Sequence, residues 1–340
     1  MKTKTLFSLC ALAALITFLT VSSVATLAGP FPQGQSNGPK LSDAEIQALK
    51  AINSAPDATA KLAGVADFIK KFPKSGARLQ LANIVAVEIN KVTDPVQAIT
   101  LAEKAQTIFT SEQELEIIKL ALLDAYVFGR RADDTFKLAN QMLARNPEDI
   151  HVLVQMTFIG TEEAKGKNPK YVQQSLQSGL KAIEVIEANK KPANMSDGSW
   201  AAHKAMLPQL YQETAILNLI SGNAAEARAR LIKSTALGPT DPSSFALLGL
   251  IMNDEYVQLA SGYNAMPEGK PKEDLLKKLQ ELLDNIIDVY AHAAALATGK
   301  QEYQALLQQV TTDLTSYYKF RHHQSVDGLQ QLIDKYKPHP

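Results

Sequence analysis

The chain has 340 residues, of which 46% are apolar and 21% charged, with 35 basic and 35 acidic side chains. Gly (17) and Pro (16) sit near ordinary usage, which excludes collagen-like and low-complexity material. The balanced charge argues against a protein that neutralises many phosphates, because counterion release rewards a basic excess, so nucleic acid is not an expected partner.

Lys2 and Lys4 precede an apolar stretch from Leu6 to about Leu19, followed by smaller residues through Ala28. This charge–apolar–small order predicts a secretory signal over 1–28, cut after Ala25 or Ala28. Its removal would tip the charge balance by two toward acid. A competing reading keeps it: the 23 residues from Leu6 to Ala28 could span a bilayer if uncut, and membrane contact is expected only through this leader. A lipoprotein signal fits less well, since Cys10 follows Leu9 and sits early in the apolar run. Cys10 is the single cysteine, so the mature chain would hold no disulfide, thiolate zinc site or cysteine nucleophile. The segment 29–41, rich in Gly and Pro, reads as a flexible linker. The expected location is periplasmic or secreted, with anchoring by an uncleaved helix as the alternative.

From Ser42 onward the pattern is helical. Ser42-Asp-Ala-Glu45 and Ser111-Glu-Gln-Glu114 are capping boxes: the serine oxygen accepts an orphan N–H and the glutamate reaches back to the serine's own N–H. Asp94-Pro95, Asn168-Pro169 and Asp241-Pro242 each put a capping residue before a proline at the first helical position, where its missing N–H is harmless. Between these starts apolar residues recur at three- and four-residue steps, as at Leu81, Ile84, Val85 and Ile89, or Phe136, Ala139 and Met142. The spacing predicts helices over 42–55, 57–72, 75–91, 95–109, 111–128, 132–145, 148–164, 169–189, 199–221, 223–237, 242–262, 271–298, 301–320 and 325–336. Pro208 interrupts the ninth. An interior proline costs ~3 kcal/mol, so a short helix over 199–206 is expected to end before it and a new one to start. Segments 84–89 and 152–158 alternate like strands but are expected to be helical, since a lone strand would lack ladder partners.

Within 208–241 a glycine turn at Gly222 leads to Ala227, Leu231 and Ser234 at four- and three-residue steps, with Pro239 five residues further on; Tyr211 and Ala215 precede the turn. Ala98, Ala102 and Ala105 repeat the spacing, with Thr110 at the place of the proline. Gly129 to Pro147 shows a turn glycine, then Thr135, Ala139 and Met142, then the proline, with one extra residue. Pro73, Thr110 and Pro147 are 37 residues apart, and Pro192 and Pro239 follow at 45 and 47. This pattern resembles the tetratricopeptide repeat, and Lys70-Lys-Phe-Pro73-Lys-Ser75 resembles repeat ends of its bacterial envelope members. Thr214 and Asn218 depart from the family's usual Leu and Tyr. The resemblance covers 42–241 and implies an all-α, right-handed superhelical α-solenoid of antiparallel helix pairs. Ala98, Ala102, Ala105, Ala139, Pro147, Ala215, Ala227, Leu231, Ser234 and Pro239 are then repeat-packing positions, and 242–340 divergent helical repeats with C-terminal capping helices. An irregular bundle with Ala-rich faces would produce the same spacing.

No catalytic motif emerges. His151, His203, His292, His322, His323 and His339 include no H-E-x-x-H and no pair four apart. His322 and His323 would point about 100° apart on a helix. Phosphate-binding glycine loops and nucleophile elbows are missing as well, so neither a metal nor a cofactor is expected. Asp133-Asp134 suits the positive end of a helix dipole. The one aromatic and basic concentration is Tyr317-Tyr-Lys-Phe-Arg-His-His323. Tyr317, Tyr318, Phe320 and Arg321 are candidate partner contacts, because aromatics beside Arg mark binding hot spots. The competing reading has Tyr317 and Phe320 packed inward with Lys319 and Arg321 wet. Trp200 and Tyr211, near Pro208, are a second candidate contact. The leucine stripe of 271–298 has the width of a core-facing helix.

The expected function is a non-catalytic scaffold or adaptor of the bacterial cell envelope, binding other proteins or peptide segments in the concave groove that the resemblance implies. The alternatives are a helical-toroid enzyme acting on envelope glycans, and nucleic-acid binding through 317–323 by base stacking.

Overall fold

The computed structural model describes residues 41–193 and 195–337. The leader over 1–28 and nearly all of the linker fall outside the described residues. Among those described the chain is all-helical, with fifteen α-helices and no strand, and no helix is long and apolar enough to cross a membrane. Two compact units divide it: one holds the residues up to 160 with 184–204, the other 161–183 with 205 onward.

The N-terminal unit contains α1 (Asp43–Asn53), α2 (Ala58–Lys71), α3 (Arg78–Asn90), α4 (Pro95–Ile108), α5 (Glu112–Phe128), α6 (Ala132–Leu143), most of α7 (Ile150–Lys165) and α9 (Asp197–Ala205). The C-terminal unit contains most of α8 (Val172–Glu187), then α10 (Leu207–Ile220), α11 (Ala224–Leu237), α12 (Pro242–Tyr263), α13 (Lys270–Ala297), α14 (Gln304–Arg321) and α15 (Leu329–Lys335). Segments 84–89 and 152–158 are helical, and Pro208 lies in the first turn of α10 behind the short α9, as the sequence predicts.

Local chemistry sets the starts. Both capping boxes form: Glu45 Oε2 accepts from Ser42 N at 2.7 Å, and Glu114 Oε2 from Ser111 N at 3.2 Å, while each serine oxygen accepts from its glutamate's N–H. Asp94 accepts from Val96 N and Gln97 N, and Asp241 from Ser243 N and Ser244 N. Such caps contribute about 0.5–2 kcal/mol each. Asn168 caps a single 3₁₀ turn, Pro169–Tyr171, ahead of α8.

The ends of α5, α7, α8, α10 and α14 share one geometry. Each closes on a left-handed residue: Arg130 (φ 54°), Lys167 (φ 68°), Asn189 (φ 50°), Gly222 (φ 82°) and His323 (φ 52°). In each, the next residue's N–H reaches back to a carbonyl five residues earlier, Arg131 to Tyr126 at 2.8 Å, Asn168 to Glu163 at 2.9 Å, Lys190 to Val185 at 3.1 Å, Asn223 to Asn218 at 2.8 Å and Gln324 to Lys319 at 2.7 Å. This is the glycine-type helix stop that satisfies orphan carbonyls. Gly129, expected as the turn glycine, has an ordinary φ of −79°. Arg130 takes the left-handed step instead, which accounts for the extra residue between Gly129 and Thr135.

Packing follows the small residues. In the N-terminal unit α2 packs on α3 and α4, and α3 on α4 and α5, so each touches its neighbour and the next but one. Ala98, Ala102 and Ala105 are 2%, 0% and 0% exposed, and Ala139 is 0%; side chains this short let helix backbones approach closely. In the C-terminal unit α11 packs on α10 and α12, and α13 on α12, α14 and α15. Ala215, Ala227, Leu231 and Ser234 are all buried there. Pro147 and Pro239 are exposed, so they stop helices rather than fill the core. The α13 stripe is buried from Leu279 through Ile287, while Leu276 lies in solvent. Thr214 and Asn218, which depart from the repeat pattern, are buried but satisfied within α10: Thr214 Oγ1 donates to Leu210 O and Asn218 Nδ2 to Thr214 O, both at 2.8 Å.

One side chain ties successive helix pairs. The Arg78 guanidinium binds Glu114 with Nε–Oε1 at 2.7 Å and Nη2–Oε2 at 2.8 Å, and also donates to Pro73 O at 3.1 Å and Thr110 Oγ1 at 3.0 Å. It therefore joins the two pair-closing positions, 37 residues apart. Its grip holds the Glu114 carboxyl down to about 2.

Two predictions follow from these ends and ties. Arg130→Gly should raise stability by about 0.5–1 kcal/mol by relieving left-handed backbone, and Gly222→Ala should lower it by about 1 kcal/mol; effects of the same sign, or with the two signs reversed, in urea denaturation would contradict the shared stop. Arg78→Met should leave Glu114 buried and uncompensated, at a loss of about 3 kcal/mol, the low figure reflecting partial screening. Because the folded carboxyl is depressed, its contribution is full above its ordinary value of 4.5 and is lost as pH falls toward 2. A stability–pH curve that keeps the same acid limb in Arg78→Met would refute the assignment.

Candidate functional site

The six residues expected to contact a partner are dispersed. Trp200 is 4% exposed, and its indole N–H donates to Asn189 Oδ1 at 3.2 Å. Tyr211 is 1% exposed; Lys233 donates to its hydroxyl at 3.0 Å and lies 5.0 Å over its ring. Both serve packing. Within the aromatic and basic segment on α14, Tyr318 is buried and donates to Asp327 O at 2.7 Å, and Arg321 forms a forked pair with Asp284 at 2.7 and 3.2 Å. The inward reading of Tyr317 and Phe320 holds for Tyr317 alone: Phe320 is 65% exposed.

Two buried polar clusters set a basic side chain against acids. In the N-terminal unit His151 Nε2 meets Asp124 Oδ1 at 2.7 Å, and Gln155 donates to the same oxygen at 2.8 Å. Burial opposes charge on His151, but Asp124 outweighs it and raises its pKa; His203, whose ring lies 6.1 Å away, is lowered by burial. In the C-terminal unit Lys165 faces Glu162 at 2.9 Å and Glu213 at 3.5 Å, with side-chain exposures of 7% for the lysine and 3% for Glu213. Burial holds Glu213 above the usual carboxylate range, and the two carboxylates together raise Lys165 against its own burial.

A third cluster is open-ended. It lies where α12, α13 and α14 of the C-terminal unit meet. Gly249 on α12 makes room for the Tyr290 ring, since a Cβ there would come within 2.6–2.9 Å of three ring carbons. Tyr317 on α14 stacks on Tyr290 with centroids 6.0 Å apart and planes at 19°, and its hydroxyl donates to Asn253 Oδ1 at 2.5 Å, one turn beyond Gly249. Asp254 and Tyr256 on α12 and Asp313 on α14 are half-buried. Burial alone raises Asp254, with no hydrogen bond or cation to offset it. Burial, helped by the charges of Asp313 and Asp254, pushes Tyr317 up to about 12 and Tyr290 higher still. Asp313 accepts from Gln309 at 2.9 Å. Tyr290 is 4% exposed.

Of this acid–tyrosine site only Tyr317 was marked by the sequence reading. Among the described residues no three His, Cys, Asp or Glu side chains are placed to hold a metal ion. No protein-family model and no curated protein matches the chain.

The Lys165 cluster yields a direct stability prediction. Lys165→Met should destabilise the protein by about 3–5 kcal/mol, because Glu213 stays buried without its cation, whereas Lys165→Met with Glu213→Leu should recover most of that loss. A neutral single variant in chemical denaturation would show that the pair is not electrostatically coupled.

Proposed function

We propose that the chain is an exported, non-catalytic scaffold of the tetratricopeptide type, holding other proteins or peptide segments along a groove lined by the first helix of each pair. The observation that carries this reading is the 37-residue step between the helix stops at Arg130 and Lys167, a stop that recurs at other spacings at Asn189, Gly222 and His323. The same 37-residue step separates Pro73, Thr110 and Pro147. Contacts between next-but-one helices, α2 with α4 and α3 with α5, are those that stacked pairs require, because a hairpin alone cannot hide its apolar stripe. Recognition grooves are the use to which such stacks lend themselves.

Exposed apolar side chains offer a way to test the groove. Leu79 on α3 and Phe128 on α5 are 42% and 41% exposed on first helices, and Val96 on the second helix α4 is 71% exposed. Photocrosslinking amino acids at Leu79 and Phe128 should trap a recurrent partner in envelope preparations, and one at Val96 should not. Equal trapping from Val96, or none from either first-helix site, would overturn the proposal. The mass of the exported product reads the leader's fate in the same preparation.

A further inference from the structure

We propose that the contact between α9 and α7 is a proton-sensitive latch, which holds α9 in place near neutrality and releases it in mild acid. This goes beyond the scaffold reading and does not depend on it. Its first support is how little holds α9. Of the nine residues of Asp197–Ala205 only Trp200 and His203 are buried, at 4% and 2% exposure. They stand three apart, on one face of the helix. The Trp200 indole donates to Asn189, the residue that stops α8. His203 lies edge-on to His151 of α7, with ring centroids 6.1 Å apart and planes at 75°. One of the two side chains that seat this helix is therefore titratable near neutrality.

The second support is the distribution of protons between the rings. A carbonyl and a carboxylate only accept. The 2.8 Å bond to Ser199 O thus puts the neutral ring's hydrogen on His203 Nδ1, and the 2.7 Å bond to Asp124 Oδ1 puts one on His151 Nε2. Asp124 also favours a second proton on His151, and Gln155 donates to the same carboxylate oxygen. The next proton has to enter at His203 Nε2, where it sets a second imidazolium beside the first. Burial opposes that charge most strongly and His151 adds to the opposition; together they outweigh the Ser199 carbonyl, Asp149 ahead of α7 and Asp124 on α5. On α9 itself Asp197 is bound by Lys191 at 2.5 Å, and Lys204 is exposed.

The two rings therefore respond to pH with opposite signs. The raised His151 contributes stability that is fully present below 6.5 and is lost as pH rises through its folded value. The lowered His203 leaves docking unaffected above 6.5 and opposes it as pH falls below, because the released ring binds a proton that the docked ring refuses. His151 is charged first, so the repulsion is already in place when release begins. Release uncovers Trp200.

Trp200 is the only tryptophan of the chain, so its emission and its quenching by acrylamide report on α9 in the full-length protein. Between about pH 8 and about pH 5 the emission should shift to the red and acrylamide access should rise. The transition should take up one proton, with its midpoint below 6.5, while far-UV circular dichroism keeps nearly all of its helix signal. The His203 ring signals in NMR spectra of the parent chain should titrate with the same midpoint. His203→Asn, whose amide can keep the bond to Ser199 O, should hold Trp200 covered throughout. His151→Gln, which removes the first imidazolium, should move the transition to lower pH. The proposal is overturned if Trp200 stays covered until the whole chain unfolds, or if His203 titrates at 6.5 or above. Dimming at constant wavelength and constant acrylamide access would mean that His203 is protonated in place, and overturns it too. Should His203→Asn uncover Trp200 at every pH, the other two measurements decide: a His203 midpoint apart from the Trp200 transition, or a transition unmoved by His151→Gln, overturns the latch.

Discussion

A helix in a hairpin covers one side against its partner and leaves another apolar side in need of cover, and that shortage governs this chain. With one cysteine, which lies in the expected leader, no covalent staple relieves it. Cover has to come from the following helices, and they must come close. Ala102, Ala105 and Ala139, all fully buried, are short enough to allow it. The alternation of small and large residues along α4, α6 and α11 is therefore a packing requirement first and a family likeness second.

Close packing raises the stakes for every polar group it encloses. α10 is buried on all sides from Leu210 to Asn218, yet carries Gln212, Glu213, Thr214 and Asn218. Thr214 and Asn218 turn their donors onto the helix's own carbonyls, and Gln212 donates to Asp241 at 2.6 Å, the residue that also caps α12. Glu213 shares Lys165 with Glu162. Each solution is local and geometrically specific, and a buried charge left without one would be worth several kcal/mol of destabilisation. Polar residues at places where a repeat would carry Leu and Tyr are thus compatible with the same helix packing.

What could be read in advance was whatever is decided within four or five residues. Ser42, Asp94, Ser111 and Asp241 start their helices by bonds to adjacent N–H groups, and Pro208 forces a break by its missing one; these starts are legible because no distant residue is consulted. The stops were less so. Arg130 and Lys167 hold left-handed backbone without glycine, a strain of roughly 1–2 kcal/mol that only the surrounding turn can support. A reader looking for glycine settles on Gly129, one residue early. The acid–tyrosine site was hidden for a different reason: Gly249, Tyr290 and Tyr317 come from three helices, and each alone looks like an ordinary member of a helix face. Phe320 misled in the opposite sense, since its three-residue spacing from Tyr317 implies core and the neighbouring helix does not cover it.

The treatment of acids across the molecule sets the acid–tyrosine site apart. Glu114 is buried and held in a fork by Arg78; Glu213 is buried and faces Lys165; Asp124, half-buried, is bound by His151 and Gln155. In each case the helix that buries the acid is packed against one that supplies a donor or a cation. Asp254 is half-buried on the same kind of helix, within a unit that has cations to spare one residue away at Glu255, and it receives neither.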